Sequence, residues 1–365
     1  MENKTKSKNK NLHDANRAKQ DEFYTQLTDI EKELQYYTSQ FENKIVYCNC
    51  DDPYESNFFK YFAMRFNFLG LKKLIATCYI GSPISNKELV LFDNETAENK
   101  TTKVPHKIII NEFTDENKDG AEDLQDIVLS LAKNKNNTLT RLNGDGDFRS
   151  AECIDFLREA DIVVTNPPFS LFREYVAQLL EYDKKFIIIG NKNALTYKEI
   201  FSLIKNNQTW VGYTSMSTDL LFDIPDYYKE ELIENKKEGS AYKIIDGKFR
   251  ARASAIWFTN LEHSKRNEEL ILWKEYNEKD FPKYDNYDAI EVSKTIEIPK
   301  DYDGVMGVPI SFMDKYNPNQ FEIIGQTGVV EPEGLCTEYK GGRPYINDKR
   351  MYSRIFIKAK DLRFK

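Results

Sequence analysis

From about Asp21 onward the apolar positions follow two alternating rhythms. Short runs rich in β-branched and aromatic side chains alternate with longer stretches whose apolar residues recur every three or four positions. That alternation predicts an α/β domain built on a mostly parallel sheet. Helices are predicted over Thr28–Phe41, Ser56–Leu69, Ala121–Ala132, Ser150–Ala160, Ser170–Tyr182 and Thr196–Lys205. Strands are predicted over Lys44–Asn49, Lys73–Tyr79, Lys107–Phe113, Asp161–Thr165, Lys185–Gly190 and Thr209–Tyr213. Thr28 with Glu31 reads as a capping box, and Gly70 as the stop of the second helix. Asp161–Thr165 is continuously apolar after its first residue, the mark of a central strand buried on both faces. Arg250–Asn260 reads as one further strand, the antiparallel member of a closing hairpin. Beyond Leu261 the rhythm breaks into irregular connections studded with Tyr, Pro, Asp and Gly, such as Pro282–Asp288. Three segments result: a basic flexible tail over 1–20, a catalytic domain over 21–260, and a smaller appended region over 261–365.

The length of 365 residues and a 40% hydrophobic composition suffice for a large core. No apolar run approaches the ~18 residues of a membrane span, and no apolar segment follows the Lys/Asn-rich start, so a cytoplasmic protein without membrane association is expected. Five scattered cysteines without a C-x-x-C pair indicate neither a disulfide framework nor a zinc site. His13, His106 and His263 lie far apart, which excludes chemistry that needs histidine beside a partner at fixed spacing. No metal is expected, and the chemistry falls to amides, carboxylates, backbone or a cofactor. The net charge of −7 hides an uneven distribution: Glu338–Lys365 holds nine basic residues against three acidic ones. Nucleic-acid binding needs only such a local basic face.

The sharpest signal is Asn166-Pro167-Pro168-Phe169, directly after the buried strand. Two prolines fix φ near −65°, and a residue before proline is pushed to extended backbone, so Asn166 is held rigidly at a strand's carboxyl end. Open α/β sheets place their ligands there. The Asn166 amide oxygen and the Pro167 carbonyl can both face one planar NH2 group, and Phe169 can stack on the base that carries it. The plainer reading is a Pro-Pro loop that caps a strand, with Asn166 as a turn residue. Likewise Asp145 and Asp147, in Gly144-Asp145-Gly146-Asp147-Phe148, suit either a ligand or a turn in which Asp bonds its own backbone.

The segments Asp21–Tyr37, Val46–Pro53, Gly144–Glu152, Asp161–Val176 and Pro282–Ile290 together resemble the EcoRI-type adenine-specific DNA methyltransferases, from about residue 20 to the C-terminal end. The resemblance implies a Rossmann-like methyltransferase sheet, mostly parallel with one antiparallel strand, and a C-terminal target-recognition region. It implies S-adenosyl-L-methionine as cofactor and methyl transfer to N6 of an adenine flipped out of double-stranded DNA. By position, Phe23, Tyr24 and Thr25 match the segment beside the cofactor's methionine, Asp52 and Pro53 the first strand-to-helix loop, and Asp147 with Phe148 the pair that holds the cofactor's adenine. Asn166, Pro167, Pro168 and Phe169 match the catalytic loop.

Two departures stand out. Ser56 and Phe58 occupy positions where glycines are expected, and Thr77-Cys78-Tyr79 offers no carboxylate for the ribose, leaving Asp51 or Asp52 as substitutes. Arg343, Arg350 and Arg354, among Tyr345 and Tyr352, are candidate DNA contacts, the alternative being a solvated face. The expected setting is restriction-modification or orphan modification by a monomer, with a cognate restriction endonuclease that shares the site without a stable complex. RNA adenine or protein glutamine methylation, or a catalytically dead DNA-binding protein of the same fold, are the alternatives.

Overall fold

A computed structural model of the chain describes residues 24–50, 56–78, 105–116, 124–133, 135–218, 220–223, 226–236, 238–239, 241–245 and 247–360. The basic tail, Phe23, Asp51, Asp52 and Pro53 lie outside the described residues. The strands are Tyr24–Thr25 (β1), Ile45–Cys48 (β2), Lys73–Thr77 (β3), His106–Ile110 (β4), Thr138–Arg141 (β5), Ile162–Thr165 (β6), Lys185–Asn191 (β7), Trp210–Val211 (β8), Leu220–Asp223 (β9), Tyr242–Ile245 (β10), Lys248–Ala253 (β11) and Ala255–Thr259 (β12). Six more follow: Ile290–Glu291 (β13), Met306–Val308 (β14), Phe321–Gln326 (β15), Tyr345–Ile346 (β16), Lys349–Arg350 (β17) and Ile355–Ala359 (β18). The helices are Leu27–Leu34 (α1), Asn57–Met64 (α2), Leu124–Lys133 (α3), Ala151–Glu159 (α4), Phe172–Glu181 (α5), Lys198–Lys205 (α6) and Asp226–Glu234 (α7). Among the described residues no helix is long and apolar enough to cross a membrane.

The chain divides into two compact units, Met1–Asn191 with Asp219–Trp257, and Lys192–Thr218 with Phe258–Lys365. Residues 192–218 thus belong with the C-terminal part of the chain. In the first unit the strands lie in the order β5-β4-β3-β2-β6-β7-β12. β2 runs parallel to β3 and β6, and β6 to β7. Val46, Tyr47, Val163, Val164 and Phe186 to Ile189 along these strands are all buried, as apolar runs covered on both faces must be.

β4 is antiparallel to both β3 and β5, a reversal that the apolar pattern of His106–Ile110 does not announce. β5 was not anticipated, because Thr138–Arg141 leaves all four of its side chains half-buried or exposed and carries no hydrophobic alternation. The single strand expected over Arg250–Asn260 is broken at Ser254. β11 joins an antiparallel sheet of order β1-β9-β11-β10, whereas β12 lies beside β7. α1 begins before Thr28, since the Gln26 carbonyl already accepts the Asp29 and Ile30 amides at 3.0 and 3.1 Å. α5 starts at Phe172 rather than at Ser170, because the prolines lead into a 3-10 turn over Phe169–Leu171 closed by Leu171 N to Pro168 O at 3.0 Å.

In the second unit β8 pairs antiparallel with the last two residues of β12. A further sheet has the order β13-β14-β18-β15. The stretch around Pro282–Asp288 is not a loose connection. Tyr284 and Tyr287 are buried and meet Phe356 at centroid distances of 6.0 and 4.9 Å. Each buried phenol keeps its hydroxyl bonded, Tyr284 to Glu291 and Tyr287 to Glu331, as interior tyrosines require. Gly307 is needed beside them, since a Cβ there would lie 2.3 Å from the Tyr284 oxygen.

Candidate active site

β2 has β3 on one side and β6 on the other, so the strand order reverses between β2 and β6, where an open α/β sheet forms its ligand crevice. Asn49 follows β2 and Asn166 follows β6. The Thr165 hydroxyl donates to the Asn49 carbonyl, and the Tyr175 hydroxyl on α5 donates to Asn49 Oδ1. Asn49, Thr165 and Tyr175 are all buried. Tyr175 also meets the edge of Phe148 at 5.1 Å, and Gln178 Nε2 donates to the Phe148 carbonyl at 3.2 Å. One hydrogen-bonded and packed group therefore ties together the end of β2, the end of β6 and the Asp-Phe turn. Asn49 and Tyr175 were missed in the sequence because an Asn between two strand cysteines and a Tyr on the apolar side of a helix both read as core.

Asn166 is half-buried with its Oδ1 shielded from solvent, Pro167 is buried, and Phe169 is half-buried at the start of the 3-10 turn. Pro168 is extended at φ −55°, ψ 124°. The loop thus holds Asn166 at the carboxyl end of β6, where the strand order reverses, and turns the chain away behind Phe169.

Asp145 and Asp147 both serve the turn. Asp145 Oδ1 accepts the Asp147 amide at 3.0 Å. Asp147 Oδ1 accepts Arg149 N at 2.8 Å and Nε at 2.9 Å, and its Oδ2 accepts Nη2 at 2.7 Å. Hydrogen bonds from the Arg149 side chain hold the Asp147 carboxyl below the usual carboxylate range. Arg149 lies over the Phe148 ring at 5.1 Å and reaches Glu174 at 3.0 Å. A carboxylate offers about four lone-pair sites, so Asp147 retains one beyond these three.

The expected methionine-side segment is tied to the start of α2. The Thr25 carbonyl accepts Asn57 Nδ2 at 2.7 Å. Thr25 is buried, and its Oγ1 has no hydrogen-bond partner among the described residues. Ser56, where a glycine was expected, is the N-cap of α2 and accepts the Phe58 and Phe59 amides at 3.1 and 3.3 Å. Phe58 points into the core, its ring 5.9 Å from that of Trp257. Neither side chain calls for a glycine.

The three arginines have different fates in the second unit. Arg350 is exposed on β17 and Arg343 is half-buried. Arg354 is buried, with Nη2 2.6 Å and Nε 3.0 Å from the Glu291 carboxylate. Its charge is consumed inside the unit, so it cannot serve as the surface contact expected of it.

Comparison with known proteins agrees with this geometry. The family described as adenine-specific methyltransferase EcoRI matches residues 11–360. The Type II methyltransferase M.EcoRI of Escherichia coli is 47% identical over 97% of this chain and 98% of its own length. M.MpnI of Mycoplasma pneumoniae is 35% identical over 95% of the chain and 97% of its length. M.MgeORF184P of Mycoplasma genitalium is 34% identical over 95% and 98%. No solved structure matches the chain. With an Asn-Pro-Pro-Phe loop at the strand reversal and relatives alike along nearly their full length, the chain belongs to the EcoRI family of adenine-specific methyltransferases.

Proposed function

We propose that this chain is a site-specific DNA methyltransferase that modifies N6 of adenine in double-stranded DNA. The observation that carries the reading is the buried Thr165–Asn49–Tyr175 group, which fixes Asn166 at the carboxyl end of β6 beside the end of β2. An adenine amine is a poor nucleophile because its lone pair is delocalised into the ring. The Asn166 amide oxygen and the Pro167 carbonyl accept its two hydrogens and favour the pyramidal nitrogen on which positive charge develops. Phe169 stacks on the base, a contact worth about 1–3 kcal/mol that helps offset unstacking from the duplex. No general base is needed before transfer.

S-adenosyl-L-methionine, when bound, supplies a methyl group activated by its sulfonium. The residues present suit it. Thr25 Oγ1 is a buried hydroxyl awaiting a polar partner, and Asp147 keeps one acceptor site beside the apolar Phe148. Phe23, Tyr24, Asp51, Asp52, Pro53 and Asp145 complete the proposed cofactor set, with Asn166 at the junction of the two ligands. The proposed setting is the cytoplasm, as a monomer beside a restriction endonuclease that shares the recognition site without a stable complex.

The test is single-molecule sequencing of plasmid from a methylation-free host that expresses the chain or its Asn166→Ala variant. A discrete motif with modified adenines in the wild type alone is expected. An unmodified plasmid would shift the reading to RNA or a protein glutamine as substrate, or to a catalytically dead protein of the same fold.

A further inference from the structure

Residues 345–350 form a two-stranded ribbon, with Tyr345 opposite Arg350 and Ile346 opposite Lys349. Its turn residues Asn347 and Asp348 both adopt left-handed backbone, φ 51° and 59°, the signature of the tight turn that matches strand twist. Neither turn residue is glycine, so the conformation must be held from outside. Asp285 holds it. Its Oδ1 accepts the Asn347 amide at 3.1 Å, its Oδ2 accepts the Asp348 amide at 2.8 Å, and its own amide donates to the Tyr345 carbonyl at 2.8 Å.

The next residue, Asn286, is fully buried and grips the base of the same ribbon. Its Oδ1 accepts Tyr345 N at 2.9 Å, and its Nδ2 donates to the Arg343 and Glu338 carbonyls at 2.9 and 3.3 Å. Gly342 packs against Gly328 so closely that a Cβ on it would fall 2.7 Å from the Gly328 Cα. Beyond the ribbon, the buried Arg354–Glu291 pair fixes the entry to β18. The segment Tyr284–Glu291 therefore clamps the ribbon at its tip, at its base and in the strand that follows.

Such a clamp goes far beyond what a solvated loop needs, because loops without a task tolerate looseness. What it holds outward is Asn347, Lys349 and Arg350, all exposed. A two-stranded ribbon has the width the major groove admits, and Arg and Asn make the bidentate contacts that distinguish guanine and adenine there. We propose, given duplex DNA as the substrate, that the 345–350 hairpin reads base edges in the major groove, and that Asp285 and Asn286 are its positioning residues. The partner is duplex DNA by charge: Lys349 and Arg350 on the ribbon, with Lys340 and Arg343 just before it, outnumber the exposed Asp348 at its turn and Glu338, which is paired with Lys340 at 3.1 Å. Asp285 is turned inward on the turn amides.

The test uses the full chain with Arg350→Ala, Lys349→Ala and Asp285→Ala. Each variant is assayed for S-adenosylmethionine affinity by calorimetry. Each is then assayed for methyl transfer to a duplex with the wild-type motif and to duplexes with one base pair of the motif changed. Arg350→Ala and Asp285→Ala are expected to lower transfer to the intact motif about 10- to 100-fold while changing transfer to altered duplexes by less than about threefold. Cofactor affinity stays within about threefold, because neither residue lies in the first unit. Asp285→Asn, which keeps one acceptor, recovers part of the discrimination. An equal loss on both kinds of duplex assigns the ribbon to phosphate contact and overturns the proposal, as does unchanged discrimination. If Asp285→Ala does not fold, the surface variant Arg350→Ala decides alone. Wild-type protein that binds cofactor but modifies no duplex refutes the DNA substrate itself, a result distinct from unchanged discrimination in an active enzyme.

Discussion

Arg354 Nη2 and Glu291 Oε1 stand 2.6 Å apart inside the second unit, with both side chains almost wholly removed from solvent. The pair is bidentate, since Nε also lies 3.0 and 3.2 Å from the two carboxylate oxygens. Removing one partner of a buried pair strands the other charge, which typically costs about 3–5 kcal/mol. Arg354→Ala is therefore expected to lower the urea unfolding midpoint sharply, whereas the exposed Arg350→Ala changes stability by about 0.5 kcal/mol at most. Equal unfolding curves for the two variants would remove Arg354 from the interior.

Asn166→Ala deletes one of the two acceptors proposed for the target amine and leaves the Thr165–Asn49 bond in place. Loss of one preorganised group at a developing charge commonly costs about 100- to 1,000-fold in turnover. The expected outcome is a kcat reduced by at least that lower figure, with cofactor affinity by calorimetry within a few-fold. Wild-type turnover would reject the role given to the amide.

Tyr175→Phe probes the support beneath the loop. The lost hydroxyl leaves Asn49 Oδ1 buried without its donor, a penalty of about 1–3 kcal/mol. Because the Asn49 carbonyl accepts from Thr165, the residue before Asn166, looser support should lower kcat more than it raises KM for cofactor. The two kinetic constants on one duplex, together with a thermal melt, separate this from simple destabilisation. A variant that melts early but turns over normally would confine Tyr175 to packing.

The core strands β2, β3, β6 and β7 were legible in the sequence because burial on both faces forces continuous apolar runs. The tight loop after β6 was legible because two successive prolines restrict the backbone, and the residue before them, without any tertiary help. β5 escaped because a half-exposed edge strand such as Thr138–Arg141 imposes no pattern. The reversal of β4 escaped because strand direction is set by what its neighbours allow and not by its own side chains. Arg354 misled because a basic residue in a basic stretch reads as surface, and only the fold brings Glu291, far away in sequence, beside it. Tyr284 and Tyr287 misled similarly: an aromatic, Asp- and Pro-rich stretch has the composition of a loop, yet its rings fill a core whose hydroxyls are satisfied by the Glu291 and Glu331 carboxylates.

His263 makes stability depend on pH. Burial pushes its imidazole down to about 4, with Lys265 and Arg266 adding repulsion, although the bond from Nε2 to the Val211 carbonyl at 3.1 Å works in the other direction. The ordinary value is near 6.5, so between about pH 6.5 and 4 the unfolded chain binds a proton that the folded chain refuses. Stability contributed by the neutral ring is thus whole above about pH 6.5 and falls as pH drops toward 4, by roughly 3 kcal/mol over the full window. Asp147, whose carboxyl is held low by Arg149, loses its contribution only below the ordinary carboxylate value of about 3.9, beneath that window. His263→Asn is expected to flatten the fall in unfolding free energy between about pH 6.5 and 5 while lowering the value at pH 8 through lost packing. Urea titrations of wild type and variant at pH 8, 6.5 and 5 measure both, and parallel losses in the two proteins would assign the acid sensitivity to other groups.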